Sequence, residues 1–360
     1  LYLILYDETA NSREIEMTKN AVGEDRRYWS LVPVVEASLI GMIAKQAEEQ
    51  GLEGLFAPQV YGPPFIPLAA AATTTESIKL ASGIAIAAAR SPTETAMAAL
   101  DMDRLSNGRF ILGLGTSVSA WTSGLFGSPP IKPLTHLRET VAAVRHIIAN
   151  SHTHLEPFNG EYFSADFAEI SQCPPPVRET IPVWIAALRE KLTRLAVDIG
   201  DGVIGHPMWS VEWTTQTMAP IILDQLQKSG RDRAEIDVNI WPWVAPNPNE
   251  KEALDDARPT IAFYAGIAQY ESFFAAHGFE KEAQACQKGV QRGDFMSVVG
   301  EVPDEMVRCF VAIGDLDAVR ERLEPLWVIA DSMCIVPPIY AMTPEKQMYY
   351  SGEIGKLISG

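Results

Sequence analysis

Residues 77–127 read SIKLASGIAIAAARSPTETAMAALDMDRLSNGRFILGLGTSVSAWTSGLFG, and their pattern decides the fold. Ile78–Ala87 is a near-continuous apolar run, as expected of a parallel strand buried on both faces. Ser91 then offers an N-cap and Pro92 a first helical position. Ala96, Met97, Ala99, Leu100 and Met102 recur on the helical period, and Asn107-Gly108 stops the helix. Phe110–Leu114 is a second apolar strand, with Gly113 and Gly115 opening its C-terminal end. Strand, helix, strand makes a βαβ unit with a right-handed crossover.

The same rhythm extends in both directions. Leu1–Tyr6 reads as a first strand and residues 7–30 as a long polar loop. Leu31–Gln50 and Ile66–Thr75 read as helices around a short strand at Leu52–Ala57. Leu134–Asn150 is helical by period, and residues 153–163 read as a hairpin turning on Asn159-Gly160. Further strands are expected at Ile181–Ala186, Gly202–Gly205, Ile236–Val244 and Asp331–Val336. Helices at Arg189–Ile199, Val211–Ser229, Glu250–Ala265, Pro303–Phe310 and Asp317–Leu326 separate them. Residues 270–299 look helical and inserted. Eight alternating strands favour a (β/α)8 TIM barrel over an open doubly wound sheet. The reading is one domain over residues 1–360, with a helical insertion at about 266–302.

Composition narrows the function classes. At 47% hydrophobic and 21% charged, 360 residues can build a large core. A net charge of -17 with no Lys/Arg-rich run argues against a nucleic-acid partner. Cys173, Cys286, Cys309 and Cys334 form no CxxC pair, HExxH is absent, and no metal site is expected. There is no GxSxG nucleophile elbow and no Walker A loop. No run of about 18 apolar residues suggests a membrane span, and the amino end lacks a basic leader segment. A cytoplasmic enzyme acting on a small organic molecule is the expectation.

In a (β/α)8 barrel the chemistry sits at the C-terminal ends of the strands. That rule selects Gln59 and Tyr61 after strand two, and Ser82, Gly83 and Ile84 on strand three. It also selects Gly113, Gly115 and Thr116 on strand four, Ala186, Ala187, Leu188 and Arg189 after strand five, and His206 after strand six. The two glycines either admit a flat ligand or form a tight rim. Arg189 at a helix start would hold a phosphate, or simply form a surface ion pair. His206 would be an acid–base group, or line the pocket. Trp241 and Trp243 alternate along a strand and would pack the barrel or wall a ring-shaped substrate.

Three blocks, RSPTETAMAALDMDRLSNGRFILGLGT, IPVWIAALREKLTRLAVDIGDGVIGHP and the stretch from Ile261 to FVAIGDLDAVRERL, resemble the luciferase-like oxidoreductases. Within that family the combination looks most like the deazaflavin (coenzyme F420)-dependent subgroup. The resemblance implies a (β/α)8 barrel, commonly dimeric, holding FMN or coenzyme F420 in its mouth. It implies either monooxygenation of an organic substrate with O2, which needs a separate flavin reductase, or hydride transfer. It places a non-proline cis peptide among Ser82, Gly83 and Ile84, and the coenzyme phosphate near Ala187, Leu188 and Arg189. Relatives commonly carry an acidic residue or histidine after strand two. Gln59 stands there, and an amide exchanges no proton near neutrality. The catalytic candidates are therefore Gln59, Tyr61 and His206. A flavin-binding protein of the same fold without turnover is the alternative.

Overall fold

In the computed structural model, residues 26–60, 62–167 and 173–359 are described. Eight strands pair in parallel and close on themselves as a (β/α)8 TIM barrel. They are β1 (Arg27–Leu31), β2 (Gly54–Ala57), β3 (Lys79–Ser82), β4 (Phe110–Gly115), β5 (Val183–Ala187), β6 (Gly202–Gly205), β7 (Asp237–Ile240) and β8 (Ser332–Cys334). Helices α1 (Ala37–Glu49), α2 (Phe65–Ala72), α3 (Pro92–Leu105), α4 (Pro133–Asn150), α5 (Glu190–Ile199), α6 (Ala219–Ser229) and α7 (Glu250–Ala265) follow β1 to β7 in turn. Ser91 caps α3, its side chain accepting the Glu94 N–H, with Pro92 at the first position.

Three expectations are corrected. The first barrel strand is Arg27–Leu31, which takes the end of the stretch read as a loop and the first residue read as helix, and that helix begins at Ala37. The expected strand at Leu1–Tyr6 and most of that loop lie outside the described residues. The strand expected over Ile236–Val244 is two, because Pro242 has no N–H for a barrel ladder. Beyond it, Trp243–Pro246 leaves the barrel sheet and pairs with Val311–Gly314. The hairpin pairs Phe158 with Ala165 and Asn159 with Ser164, so its turn is residues 160–163 rather than Asn159-Gly160. A distant carboxylate sets that turn. Glu139 on α4 accepts the N–H groups of Glu161, Tyr162 and Phe163 at 2.5–2.8 Å.

Register fixes what fills the barrel, since residues paired across parallel strands face the same side. Trp29 pairs with Gly54, and Trp184 with Gly202. A Cβ on Gly54 would lie 2.3 Å from the Trp29 ring, and one on Gly202 2.5 Å from Trp184. The glycines thus make room for the indoles. Trp29, Phe56, Trp184 and Trp241 form one aromatic cluster, with ring centroids 4.4–6.1 Å apart.

Below these rings, at the N-terminal rim, lies a network of charges. Glu53 accepts from Arg27, Lys79 and the Trp29 Nε1 at 2.6–2.8 Å, and Arg233 pairs with Asp331 at 2.7 Å. Asp237 is the poorly served member. Its Oδ2 is 3.5 Å from Arg27, and its buried Oδ1 has no partner among the described residues. Burial, against the pull of Arg27 and with Asp331 and Glu53 repelling, raises its pKa to about 6. Unfolded, the same carboxyl titrates near 4. The folded state therefore holds the extra proton between roughly pH 4 and 6. This contribution to stability is present below pH 4 and is lost as the pH rises through 6. Asp237→Asn is expected to flatten that window and to gain roughly 1–2 kcal/mol at pH 8, measured by urea unfolding at pH 4, 6 and 8.

Candidate active site

The opposite, C-terminal rim collects the residues selected from the sequence. After β3 the peptide bond between Gly83 and Ile84 is cis. Both residues are half-exposed, although Ala81, Ser82, Ala85 and Ile86 around them are buried. Gly83 donates its N–H to Ala57 O at 2.8 Å. On its other side there is no space, because a Cβ there would stand 2.8 Å from both Phe56 and Trp241.

Ser82 and Gly113 serve each other. The Ser82 hydroxyl donates to Gly113 O and accepts from Gly113 N, both at 2.9 Å, and all of it is buried. A Cβ on Gly113 would lie 1.8 Å from Ser82 O. Gly113 is therefore demanded by the neighbouring strand. A Cβ on Gly115 would meet the Ile84 side chain at 2.9 Å, so this glycine borders the cis-peptide corner itself. Thr116 is half-exposed just beyond it.

Gln59 is buried, and its Oε1 accepts from Ile86 N at 3.0 Å and Arg90 Nη2 at 3.1 Å. It steadies the chain that follows the cis peptide and anchors a guanidinium. Arg90 lies 5.3 Å from the Phe65 ring centroid, and its buried Nη1 has no partner among the described residues. Burial lowers the Arg90 pKa, with Glu94 opposing. Tyr61 lies outside the described residues.

At the end of β5, Ala186 and Leu188 are half-exposed and Ala187 is buried. Arg189 stands at the N-cap of α5 without a side-chain cap bond. Its Nη1 donates to Ser272 Oγ at 2.9 Å. An open depression of about 510 Å³ beside it is lined by Arg189, Gln269, Glu271, Ser272 and Glu280 among others. The rim beyond β5 is thus met by the helical stretch after α7, which comprises a turn at Ala268–Tyr270, α8 (Glu271–Ala276) and α9 (Glu280–Gln291). Gln269 reaches further, donating to Ser119 Oγ at 2.7 Å in the loop after β4.

His206 follows β6. Its Nδ1 accepts the Met208 N–H at 3.1 Å, and its Nε2 is 2.8 Å from Tyr270 Oη. Burial pushes its pKa down to about 3, so it is neutral at physiological pH. Tyr264 and Tyr270 pack against its ring at 5.7 and 5.3 Å, and burial raises both phenols. Both tyrosines escaped the strand-end rule because they come from α7 and the turn beyond it. The crowding of Phe263, Tyr264, Tyr270, Phe273 and Phe274 was the signal available. Trp243 joins this group, 6.1 Å from Tyr264, whereas Trp241 belongs to the barrel interior.

The donors around the rim, an arginine with an unpartnered nitrogen and an uncapped helix start bearing Arg189, suit a ligand with anionic and carbonyl oxygens. The half-exposed Gly83, Ile84 and Ala186 suit a flat apolar ring. A phosphorylated flavin or deazaflavin fits both.

Comparison with known proteins gives the family and the fold. Residues 32–328 match the family model described as luciferase-like monooxygenase. An uncharacterized protein of Mycobacterium tuberculosis is 32% identical over 304 residues, covering 80% of this chain and 89% of that protein. A putative coenzyme F420-dependent oxidoreductase of the same organism is 28% identical, covering 82% of this chain and 88% of its own. The coenzyme F420-dependent tetrahydromethanopterin reductase of Methanopyrus kandleri superposes with a TM-score of 0.75 at 22% identity, covering 93% of this chain and 96% of that one.

Proposed function

This chain belongs to the luciferase-like monooxygenase family, and we propose that within it the protein is a coenzyme F420-dependent oxidoreductase that transfers a hydride to or from a small organic molecule. The observation that carries the reading is the corner where half-exposed Gly83, Ile84 and Ala186 lie near the uncapped, arginine-bearing start of α5. Gly83, Ile84 and Gly115 would back the ring, and Leu188, Arg189 and the first N–H groups of α5 would hold the phosphate. When bound, the coenzyme supplies the hydride chemistry, and the protein contributes orientation and electrostatics. The similarity to a relative named as a putative coenzyme F420-dependent oxidoreductase supports this choice of coenzyme.

A second reading has an observation of its own. Gln59 cannot exchange a proton, and His206 is held neutral, so neither is a titrating acid. That favours oxygen transfer with reduced FMN, supplied by a separate reductase. Fluorescence titration of the purified protein with coenzyme F420 and with reduced FMN separates the two. Tight binding of the deazaflavin alone is the expected result. Tight binding of FMN alone makes this a monooxygenase component. Binding of flavin without any substrate-dependent oxygen uptake makes it a flavin carrier, and failure of both removes the functional reading.

A further inference from the structure

Arg90 carries a positive charge that its neighbours leave unmatched. Its Nη2 donates to Gln59 Oε1 at 3.1 Å, and its guanidinium carbon lies 5.3 Å from the Phe65 ring centroid. An amide oxygen and a ring face are both neutral partners. No carboxylate pairs with the guanidinium among the described residues, and its buried Nη1 has no acceptor there. Buried charges in folded proteins are paired, because an isolated one forfeits its hydration. Other arginines around the barrel follow that rule. Arg27 pairs with Glu53, Arg178 with Asp103, Arg194 with Asp224 and Arg233 with Asp331. Arg109, which has no carboxylate, donates instead to oxygens of Ala72, Thr75, Ile78 and Ser106. Arg90 has neither arrangement.

Hydrogen bonds tie this charge to the mouth. Gln59 Oε1 also accepts the Ile86 N–H at 3.0 Å. Ile86 lies two residues beyond the Ile84 of the cis peptide and pairs in register with Gly115. Ala57, two residues before Gln59, accepts the Gly83 N–H at 2.8 Å. Arg90, Gln59 and both sides of the Gly83–Ile84 corner are therefore one connected unit. The buried cation stands at one end, and half-exposed Gly83 and Ile84 stand at the other. In a setting this dry a charge acts over several ångströms with little screening.

We propose that Arg90 is the countercharge for a ring seated at the Gly83–Ile84 corner, and that the site favours the ring in its reduced, anionic state. The inference rests on the coenzyme reading above, with either a flavin or a deazaflavin ring. Accepting a hydride brings a ring two electrons and one proton, and so adds one negative charge. That charge is the partner the guanidinium lacks. Arg90 moves no proton and acts through its field. Gln59 is the positioning residue, because its neutral amide holds the guanidinium in place without cancelling it.

Two variants remove the charge by opposite routes. Arg90→Met deletes the cation. Gln59→Glu keeps the size of the side chain and sets a carboxylate against the guanidinium. Anaerobic fluorescence titrations at pH 8 use oxidised and dithionite-reduced FMN, and both states of coenzyme F420. They give the ratio of the two affinities. Wild type is expected to hold the reduced state at least about tenfold more tightly, and each variant to lose about tenfold of that ratio. Potentiometry of the bound ring reads the same ratio independently. A packing defect would weaken both states alike, and the two variants share only the loss of net charge. An unchanged ratio, or equal weakening of both states, overturns the countercharge and leaves the proposed function standing. If Arg90→Met does not fold, Gln59→Glu decides alone. If FMN alone binds and shows the ratio, the coenzyme F420 reading falls and the countercharge stands. Binding of neither ring by the wild type overturns both.

Discussion

Gly113→Ala is expected to destabilise the protein by about 3 kcal/mol or more. The added methyl would lie 1.8 Å from the Ser82 carbonyl oxygen, and that atom is backbone in the adjacent strand. No rotamer change relieves such a clash, so β3 and β4 must move apart by more than an ångström. The paired hydrogen bonds between the Ser82 hydroxyl and Gly113, each 2.9 Å, would break with that movement. Interiors packed at this density transmit the shift to what lies next to it. Here that is the Gly83–Ile84 corner, so coenzyme affinity should fall as well. Gly124→Ala is the control, since a Cβ there meets nothing within 4 Å. Urea unfolding of the two variants checks the expectation, and a Gly113 variant as stable as the control would refute it.

Arg189→Ala should weaken coenzyme binding about 30-fold, corresponding to the roughly 2 kcal/mol typical of a hydrogen bond to a charged group. Stability should hardly change. The guanidinium is exposed and, among the described residues, makes one hydrogen bond, to Ser272 at 2.9 Å. Its loss from the folded protein is a surface event. Two further readouts isolate the phosphate. Binding of the variant should lose much of its dependence on salt, because the removed charge was the screened one. Riboflavin, which has no phosphate, should bind wild type and variant alike. Unchanged FMN or coenzyme F420 affinity would remove Arg189 from the site.

The sequence shows most of this architecture because barrel strands buried on both faces are simple to recognise. Phe110–Leu114 carries that signal without ambiguity, whereas the run Ile78–Ala87, read as one strand, is a strand only from Lys79 to Ser82 and breaks at the Gly83–Ile84 cis peptide before a short pairing at Ala85–Ile86. The stretch RYWSL does not. Its inward positions are Arg27, Trp29 and Leu31, and the arginine belongs to a rim network with Glu53 and Asp237 that is visible only once β2 and β7 are in place. The run at Leu1–Tyr6 is more apolar and drew the strand reading instead. Asn159-Gly160 looked like a turn made by local backbone preference. In the structure Gly160 is small so that the Glu139 carboxylate, 2.3 Å from where its Cβ would be, can reach the following N–H groups.

The site divides in the same way. Strand-end positions were legible from topology, so Gly83, Gly115, Ala186 and Arg189 were found at the rim. What the side chains do there was not. Gln59 spends its carbonyl on Ile86 and Arg90, and Ser82 spends its hydroxyl on Gly113. His206 meets a tyrosine 64 positions later in the chain. Pairings across such distances have no trace in spacing or period.

The ring cluster of Trp29, Phe56, Trp184 and Trp241 acts as a septum across the barrel. It fills the barrel between the N-terminal charge network and the β3 corner. Asp237 titrates on one side of these rings and Arg189 stands on the other. The group that tunes how firmly the barrel holds together and the group that faces its mouth therefore sit at opposite ends of the strands, and a substitution at one end leaves the contacts of the other untouched.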